Sequence, residues 1–141
     1  MSHESVVETT KMDPKARYMI DVGGFVYCSS IETLSKCPTL KAMIDTSPED
    51  GSLIFIDRDG SAFQYILNFL RNGSILAVDD RAYTEFLIIE AGFFGLRTME
   101  SQLSKQLSER SRHDVHDIVM ELRSIKLNLQ ALTDHFAQKR M

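Results

Sequence analysis

The sequence has few cysteines, no long apolar segment and no excess of basic residues. Its two cysteines, Cys28 and Cys37, are not spaced like metal ligands, so reduced structural thiols are favoured over a disulfide or a metal pair. No apolar run approaches the roughly 20 residues that cross a bilayer, and residues 1–17 lack the apolar core of a signal peptide. We therefore expect a soluble intracellular protein, cytoplasmic or nuclear, without membrane insertion.

The net charge and the sequence motifs argue against nucleic-acid binding, phosphate binding and catalysis. A formal net charge of −4 argues against nucleic-acid binding, since proteins that bind nucleic acid usually present a basic surface. Gly23 and Gly24 are not followed by a phosphate-binding loop, so we interpret them as a turn. Asp57 and Asp59 could act as a general acid and base, but no histidine or glycine loop joins them in the sequence. We prefer a polar turn and expect no enzyme, no catalytic residue and no cofactor.

One further cluster could suggest a metal site. His113 and His116 stand beside Asp114 and Asp117 near the C-terminus. Their spacing is loose and their surroundings are polar, so a solvated helix start with Asp114 as its N-cap is the preferred interpretation. We expect no bound metal.

The centre of the chain, residues 53–73, reads as a strand, a turn and a helix. Leu53–Ile56 is a short apolar strand and the polar turn 57–60 follows it. The helix at 61–72 has apolar residues at helical spacing, so one face is buried. These residues are Phe63, Ile66, Leu67 and Leu70. Gly73 then stands where a C-cap glycine would.

The remaining elements are arranged around this centre. Strands at 18–22 and 25–28 flank Gly23–Gly24, which is a hairpin signal. Ser29 with Glu32 fits a capping box for a short helix. A helix capped by Thr39 is expected at 40–44, and an extended run at 75–78. The next helix is expected from 79 to 91, with Phe86, Leu87 and Ile89 on or near its buried side, and it should stop at Gly92. The last helix of the domain should carry Met99, Leu103 and Leu107.

A different pattern begins after residues 108–114, where apolar residues vanish. Apolar residues then recur in steps of three and four, an a/d heptad repeat that predicts a coiled coil. The a positions are Val115, Leu122, Leu129 and Phe136, and the d positions are Ile118, Ile125 and Leu132. The alternative is an amphipathic helix packed back on the domain. Val119 at an e position widens the stripe, which suits more than two strands, and Glu121 and Lys126 could pair between parallel helices.

The predicted organisation is therefore a disordered arm at 1–16, one domain at 17–107, and a coiled-coil helix at 115–138.

Several segments together resemble a known family. They are IDVGG at 20–24, the Tyr27 strand, TLSKCP at 33–38, FIDRDG at 55–60, FQYILNFLRNG at 63–73 and EAGFFGL at 90–96. In order and spacing they resemble the BTB/POZ domain of the potassium-channel-tetramerisation-domain (KCTD) family, over about residues 17–107. The cysteine-rich zinc motif of some channel relatives has no counterpart in these residues, and we expect no larger C-terminal substrate domain of the usual kind. The segment at 75–78 and Gly92 also depart from the pattern of many relatives.

The resemblance implies an α/β fold, a small sheet flanked by helices, that self-associates into a ring. The ring would be a pentamer, as is usual in the family, or a tetramer, as in the channel relatives. Many soluble members bind cullin-3 and recruit a substrate protein to a ubiquitin ligase. We expect such an adaptor, with an unknown substrate. The alternative is an oligomeric scaffold or regulatory subunit for a channel, a receptor or another KCTD protein, with no ligase role.

Two sets of contact residues are predicted. The oligomer interface would use Asp57, Arg58, Asp59 and Arg71, unless these side chains pair within one subunit. The cullin contact would use Met43, Ile44, Phe93 and Phe94, next to the loop 46–52. Because adjacent side chains point in different directions, we expect one of the two phenylalanines in the core and the other available to a partner.

Overall fold

A computed structural model describes residues 13–48 and 52–140 of the chain. Most of the predicted arm, residues 1–12, and positions 49–51 of the loop 46–52 lie outside the described residues. The elements are β1 (Arg17–Val22), β2 (Phe25–Ser30), α1 (Ile31–Leu34), α2 (Pro38–Asp45), β3 (Ile54–Ile56), α3 (Gly60–Asn72), α4 (Arg81–Phe93) and α5 (Arg97–Lys139).

The sheet has three strands in the order β2-β1-β3. β1 and β2 form the predicted antiparallel hairpin, with Val22 opposite Phe25, and β3 lies parallel to β1. Side chains alternate between the two faces of the sheet. Ile20, Val22 and Ile56 point into the core, where all are at least 97% buried. The predicted α/β fold, a small sheet with helices around it, is confirmed.

Helix α3 is central to the core because its apolar residues cover more than one side of the helix. All four predicted positions are buried, and so are Ala62 and Phe69. Asp59 caps its N-terminus, and Gly73 ends it in the left-handed conformation at φ 73°. The strand, turn and helix of residues 53–73 are therefore confirmed, with small shifts at the boundaries.

The turn before α3 packs tightly on the β1–β2 hairpin. Gly23 donates its N–H to the Ile56 carbonyl at 3.0 Å, and the Tyr27 hydroxyl donates to the Gly60 carbonyl at 2.5 Å. A Cβ on Gly60 would collide with the Phe25 side chain and the Val22 carbonyl. Only glycine therefore fits at the point where β3 leads into α3.

Two predicted helix caps are wrong. The cap of α1 is Ser30, whose Oγ accepts from the Thr33 N–H at 3.1 Å, rather than Ser29. Helix α2 begins at Pro38, not at residue 40, because proline is well suited to the first helical turn. The Thr39 hydroxyl does not cap α2 and instead donates to the Phe94 carbonyl at 3.2 Å.

The expectations for α4 need correction at both its end and its faces. The helix continues through Gly92 to Phe93, and Gly95 is the residue that takes a positive φ, 68°. Leu87 is buried as expected, but Ile89 is exposed.

The predicted extended run at 75–78 forms no strand and is held against α5, where Gln102 Oε1 accepts from the Ile75 N–H at 3.1 Å.

Helix α5 runs without a break through residues 108–114, where the sequence suggested a domain edge. Asp114 is therefore an interior helical residue and not an N-cap. The stretch lacks apolar residues, but it also lacks glycine and proline, so nothing in it stops a helix. The N-terminal part of α5 buries Met99 and Leu103 in the core, whereas residues 112–140 are all exposed.

Candidate interaction surfaces

The turn between β3 and α3 places two of the predicted interface residues side by side, with different surroundings. Asp59 Oδ1 accepts from the N–H groups of Ser61 at 2.8 Å and Ala62 at 3.2 Å. The Ser61 hydroxyl contributes most to lowering the pKa of this carboxyl, and the Ala62 N–H contributes next. Asp59 is thus held ionised as a helix cap, which does not suit it to general acid catalysis at neutral pH. Asp57 is exposed beside it.

Arg58 is engaged within its own chain. Its guanidinium donates to both carboxylate oxygens of Glu90, at 3.2 Å from Nε and 2.5 Å from Nη2. It also stacks on the Phe93 ring, with Cζ 4.6 Å from the ring centroid. Glu90 is only 3% exposed, so this is a largely buried ion pair between the turn and α4. The alternative that the sequence left open, pairing within one subunit, describes this arginine in the structure.

The sequence analysis missed Glu90. It stands on an otherwise apolar stretch of α4, and a carboxylate in such a position is buried only when a cation meets it. The position of Glu90 was therefore the available signal. Its partner, Arg58, is 32 positions away in the sequence, so local patterns do not identify the pair.

Arg71 lies at the C-terminal end of α3, next to the edge strand β2. Its guanidinium donates to the Cys28 carbonyl and the Asn68 side chain, both at 3.5 Å. These contacts are long, and the residue is exposed. Arg71 and Asp57 therefore have charge to offer a neighbouring subunit, which remains a prediction for both.

The two phenylalanines divide as expected. Phe94 is 1% exposed and packs against Phe63 with ring centroids 5.4 Å apart, whereas Phe93 is 42% exposed. Phe93 is not entirely free, because Arg58 covers one face of its ring and Phe94 meets it edge to face at 5.0 Å. Phe94 can offer a partner no surface, so its place in the predicted cullin contact is wrong.

Of the two predicted cullin-contact residues on α2, one is likewise buried and the other is partly exposed. Ile44 is buried and cannot touch a partner, while Met43 is partly exposed. The start of α2 is held against the end of α4, since Cys37 and Thr39 both donate to the Phe94 carbonyl at 3.2 Å. Met43 and Phe93 thus lie on elements in direct contact. Burial raises the pKa of the Cys37 thiol, whereas Cys28 is exposed.

An apolar surface that the sequence analysis missed lies on the outer face of the sheet. Met19, Val26 and Phe55 are each more than half exposed there, one from each strand. Asp21 stands between them, opposite Val26 on one side and Phe55 on the other. The alternation of each strand was the available signal, since residues next to the buried ones must point outward.

A family model described as the BTB/POZ domain, of the potassium-channel tetramerisation type, matches residues 18–104. The chain belongs to the BTB/POZ domain family. BTB/POZ domains are protein-interaction modules that self-associate, and the exposed apolar side chains of the sheet suit such a role. The match ends one residue after Leu103, the last fully buried residue of α5.

Beyond the BTB/POZ domain, the tail (residues 112–140) presents an unpartnered apolar stripe. The a and d side chains from Val115 to Phe136, which we call the tail seam, are 48–63% exposed. None of them belongs to the core or to the partly buried side chains packed against it, so the alternative of an amphipathic helix packed back on the domain is not what the structure adopts. The coiled coil itself remains a prediction.

The histidine cluster at the start of the tail is dispersed along the exposed helix. His113 uses Nδ1 to contact the Glu109 carbonyl, at 3.0 Å. Within residues 13–48 and 52–140, no three histidine, cysteine or carboxylate side chains are grouped as metal ligands would be. In the same part of the chain, no helix is long and apolar enough to span a membrane.

Proposed function

We propose that this protein is a homo-oligomeric, non-enzymatic adaptor of the KCTD type, in which the BTB/POZ domain binds cullin-3 and the tail contributes to assembly. The observation that carries the proposal is the tail seam, an apolar stripe directed away from its own domain. Such a stripe is stable in water only when another helix covers it. A BTB/POZ domain with an appended oligomerisation helix is suited to presenting several copies of one binding surface.

The cullin-binding surface would consist of Met43 and Phe93. Phe93 is exposed and Met43 is partly exposed, both are apolar, and their helices are tied together at the Phe94 carbonyl. Arg58 holds the Phe93 ring in place, which reduces the conformational entropy that Phe93 would lose on binding. Aromatic side chains that become buried when a partner binds commonly dominate the energy of a protein interface.

Repetition of this surface would strengthen each contact. In a ring, the second and later contacts with a multivalent partner form at a high effective concentration, so weak single contacts give a stable complex. The outer face of the sheet, together with Asp57 and Arg71, is the surface that we assign to contacts between neighbouring domains.

One observation favours the alternative, an oligomeric scaffold or regulatory subunit without a ligase role. Burial of Ile44 and Phe94 leaves only half of the predicted cullin contact on the surface. A patch this small supports a weak contact at most. In a scaffold, the same patch would be available to a channel, a receptor or a related BTB/POZ protein.

Light scattering of the full chain, with and without equimolar cullin-3 N-terminal domain, separates the two functions. The adaptor predicts a multimer whose mass rises by one cullin domain per subunit. A multimer whose mass is unchanged would overturn the cullin assignment and favour the scaffold, and a monomer would overturn both.

Point variants then test the surface. Phe93→Ala and Met43→Ala should each weaken cullin binding, by about tenfold or more for the aromatic residue, without changing the mass of the free multimer. Leu76→Ala is the matched control, because Leu76 is 88% exposed in the loop between α3 and α4. Equal binding by all three variants would show that the contact lies elsewhere. Deletion of 115–141 should reduce the mass or the melting temperature of the multimer.

A further inference from the structure

The domain and the tail seam occupy different sides of α5. Continuing the heptad register toward the N-terminus places the core residues Met99 and Leu103 at f and c positions, and Arg110 at c. Arg110 donates to the Asp79 carbonyl at 2.5 Å, so domain contacts follow this outer face of the helix. The a/d side is left open, and several copies could bring their seams together with the domains outside.

The seam has a defined beginning. The a and d positions from residue 101 to residue 111 are all serine, at 101, 104, 108 and 111. Ser101 and Ser108 donate their hydroxyls to the carbonyl one turn earlier, at 2.9 and 3.0 Å. Small polar side chains satisfied by their own helix provide little driving force for association, so the apolar contact starts at Val115.

Charges beside the seam are segregated by side. The e positions carry Arg112, Lys126 and Arg140, and the g positions carry Asp114 and Glu121, with His135 counted as neutral at pH 7. Among the ion pairs within the described part of the chain, none uses any of these charged side chains. They remain available to a partner helix.

This segregation distinguishes between the two orientations of a partner. In a parallel coiled coil a g residue faces the e residue that follows it on the next helix, which places Glu121 against Lys126 of another copy. In an antiparallel pair, e faces e and g faces g, so cations would meet cations and anions would meet anions. The charge pattern therefore favours copies that run in the same direction.

We propose that the tail seams of several copies of this chain associate in parallel and in register, from Val115 to Phe136, within one assembly. The proposal rests on the self-association proposed above and specifies its geometry. It places all the domains of an assembly at the N-terminal end of one coiled coil, and it excludes a tail that joins two assemblies end to end.

Cysteine cross-linking of the full chain tests the orientation. The background is Cys28→Ser, because Cys28 is exposed, while the buried Cys37 is kept. Val115→Cys and Phe136→Cys are made separately, and both seam positions are more than half exposed in the single chain, so neither substitution removes core packing. A disulfide needs Cα atoms within about 7 Å, while residues 115 and 136 are about 32 Å apart along a helix.

In a parallel arrangement each variant forms disulfide-linked dimers by itself under mild oxidation. Leu127→Cys is the matched control: Leu127 is exposed at an f position, outside the seam, and should not cross-link. Cross-linking only in a mixture of the Val115→Cys and Phe136→Cys proteins would show antiparallel helices and overturn the proposal.

Light scattering of the same samples separates the remaining outcomes. A multimer without cross-links at either position would overturn the seam contact, while self-association through the domain would stand. A monomer would overturn the proposed function and this inference together.

A charge exchange provides an independent test. Glu121→Lys and Lys126→Glu should each slow the cross-linking of Val115→Cys several-fold, because each places like charges opposite one another in a parallel pair. The double exchange should restore the original rate. If the double variant remains as slow as the single ones, the e and g positions do not face each other and the parallel register is wrong.

Discussion

The BTB/POZ domain and the tail use the same kinds of residue in opposite ways. In the domain, apolar side chains from the sheet and from all five helices form one core, and among the described residues no buried polar side-chain atom lacks a hydrogen bond. In the tail, the apolar residues of the seam are exposed. Most of the stability of a helix in a protein comes from packing of its apolar face rather than from helix propensity. The comparison shows that the core of the domain is completed within one chain, whereas the apolar stripe of the tail is left uncovered by its own chain.

The largest expected effect is a loss of domain stability when one apolar residue of the core, and not one of the tail seam, is replaced by alanine. Phe63→Ala should lower the free energy of unfolding of the domain by about 4 kcal/mol, because it empties the centre of the core. Leu122→Ala should leave that value within about 0.5 kcal/mol, since Leu122 is 59% exposed in the single chain and is not part of the core. Tyrosine fluorescence in a denaturant titration measures this, because all four tyrosines lie in the domain, at 18, 27, 65 and 83.

Circular dichroism at 222 nm provides the complementary readout, since it includes the tail helix. Leu122→Ala should make the helical signal of the tail easier to lose on dilution, while Phe63→Ala should not. A loss of domain stability in Leu122→Ala comparable to that in Phe63→Ala would mean that the two regions fold as one unit and would remove the contrast.

A smaller effect is expected from the ion pair between Arg58 and Glu90. Arg58→Ala should cost about 3 kcal/mol of unfolding free energy, because it leaves a buried carboxylate without a partner. Arg81→Ala is the matched control: it breaks an Arg–Glu pair that is exposed on α4, with Nε 3.2 Å from Glu85 Oε1. Exposed pairs contribute about 0.5 kcal/mol or less. Equal losses in the two variants would mean that burial of Glu90 is unimportant.

The smallest effect concerns the helix cap. Asp59→Ala should cost about 1 kcal/mol at pH 7, while Asp59→Asn should cost much less because asparagine also caps helices. Hydrogen bonds lower the pKa of Asp59 in the folded state, so the ionised cap stabilises the fold above the unfolded-state pKa of about 4. This contribution is lost as the pH falls through the lowered value.

Denaturant titrations at several pH values measure this dependence. The difference in unfolding free energy between wild type and Asp59→Ala should become smaller as the pH falls through the acid range. The unfolding free energy of Asp59→Asn should lack this component of the pH dependence. A gap that stays constant down to pH 3 would contradict the assignment of the cap to the ionised form.

Local patterns were sufficient for the elements near the centre of the sequence. The apolar spacing of α3 and its end at Gly73 are set by neighbouring residues, and both were predicted from the sequence, whereas Asp59 was predicted only as part of a polar turn. The predicted stop at Gly92 failed because a single glycine costs a helix only about 1 kcal/mol, which packing of the neighbouring residues offsets. Residues that are informative locally can still be overruled by the fold.

The candidate surfaces were predicted less completely, because burial depends on distant contacts. The phenylalanine pair was correctly divided, but which ring is buried depends on Phe63, far away in the sequence. The pairing of Arg58 with Glu90 and the burial of Ile44 likewise arise from contacts between separate elements. The helix start expected at Asp114 was wrong, since a loss of apolar residues marks the end of a core and not the end of a helix.

The unbroken helix α5 fixes the rotational phase between the domain and the seam. Inserting one residue between 108 and 114 would turn each domain by about 100° around the helix axis, whereas inserting seven would return it to nearly the original direction, about 10 Å further away. In the proposed parallel assembly, the length of this polar connection would therefore set which side of each domain meets its neighbour. In such an assembly, a chain with the same domain and the same seam, but a connection one residue longer, would present a different surface to the next subunit.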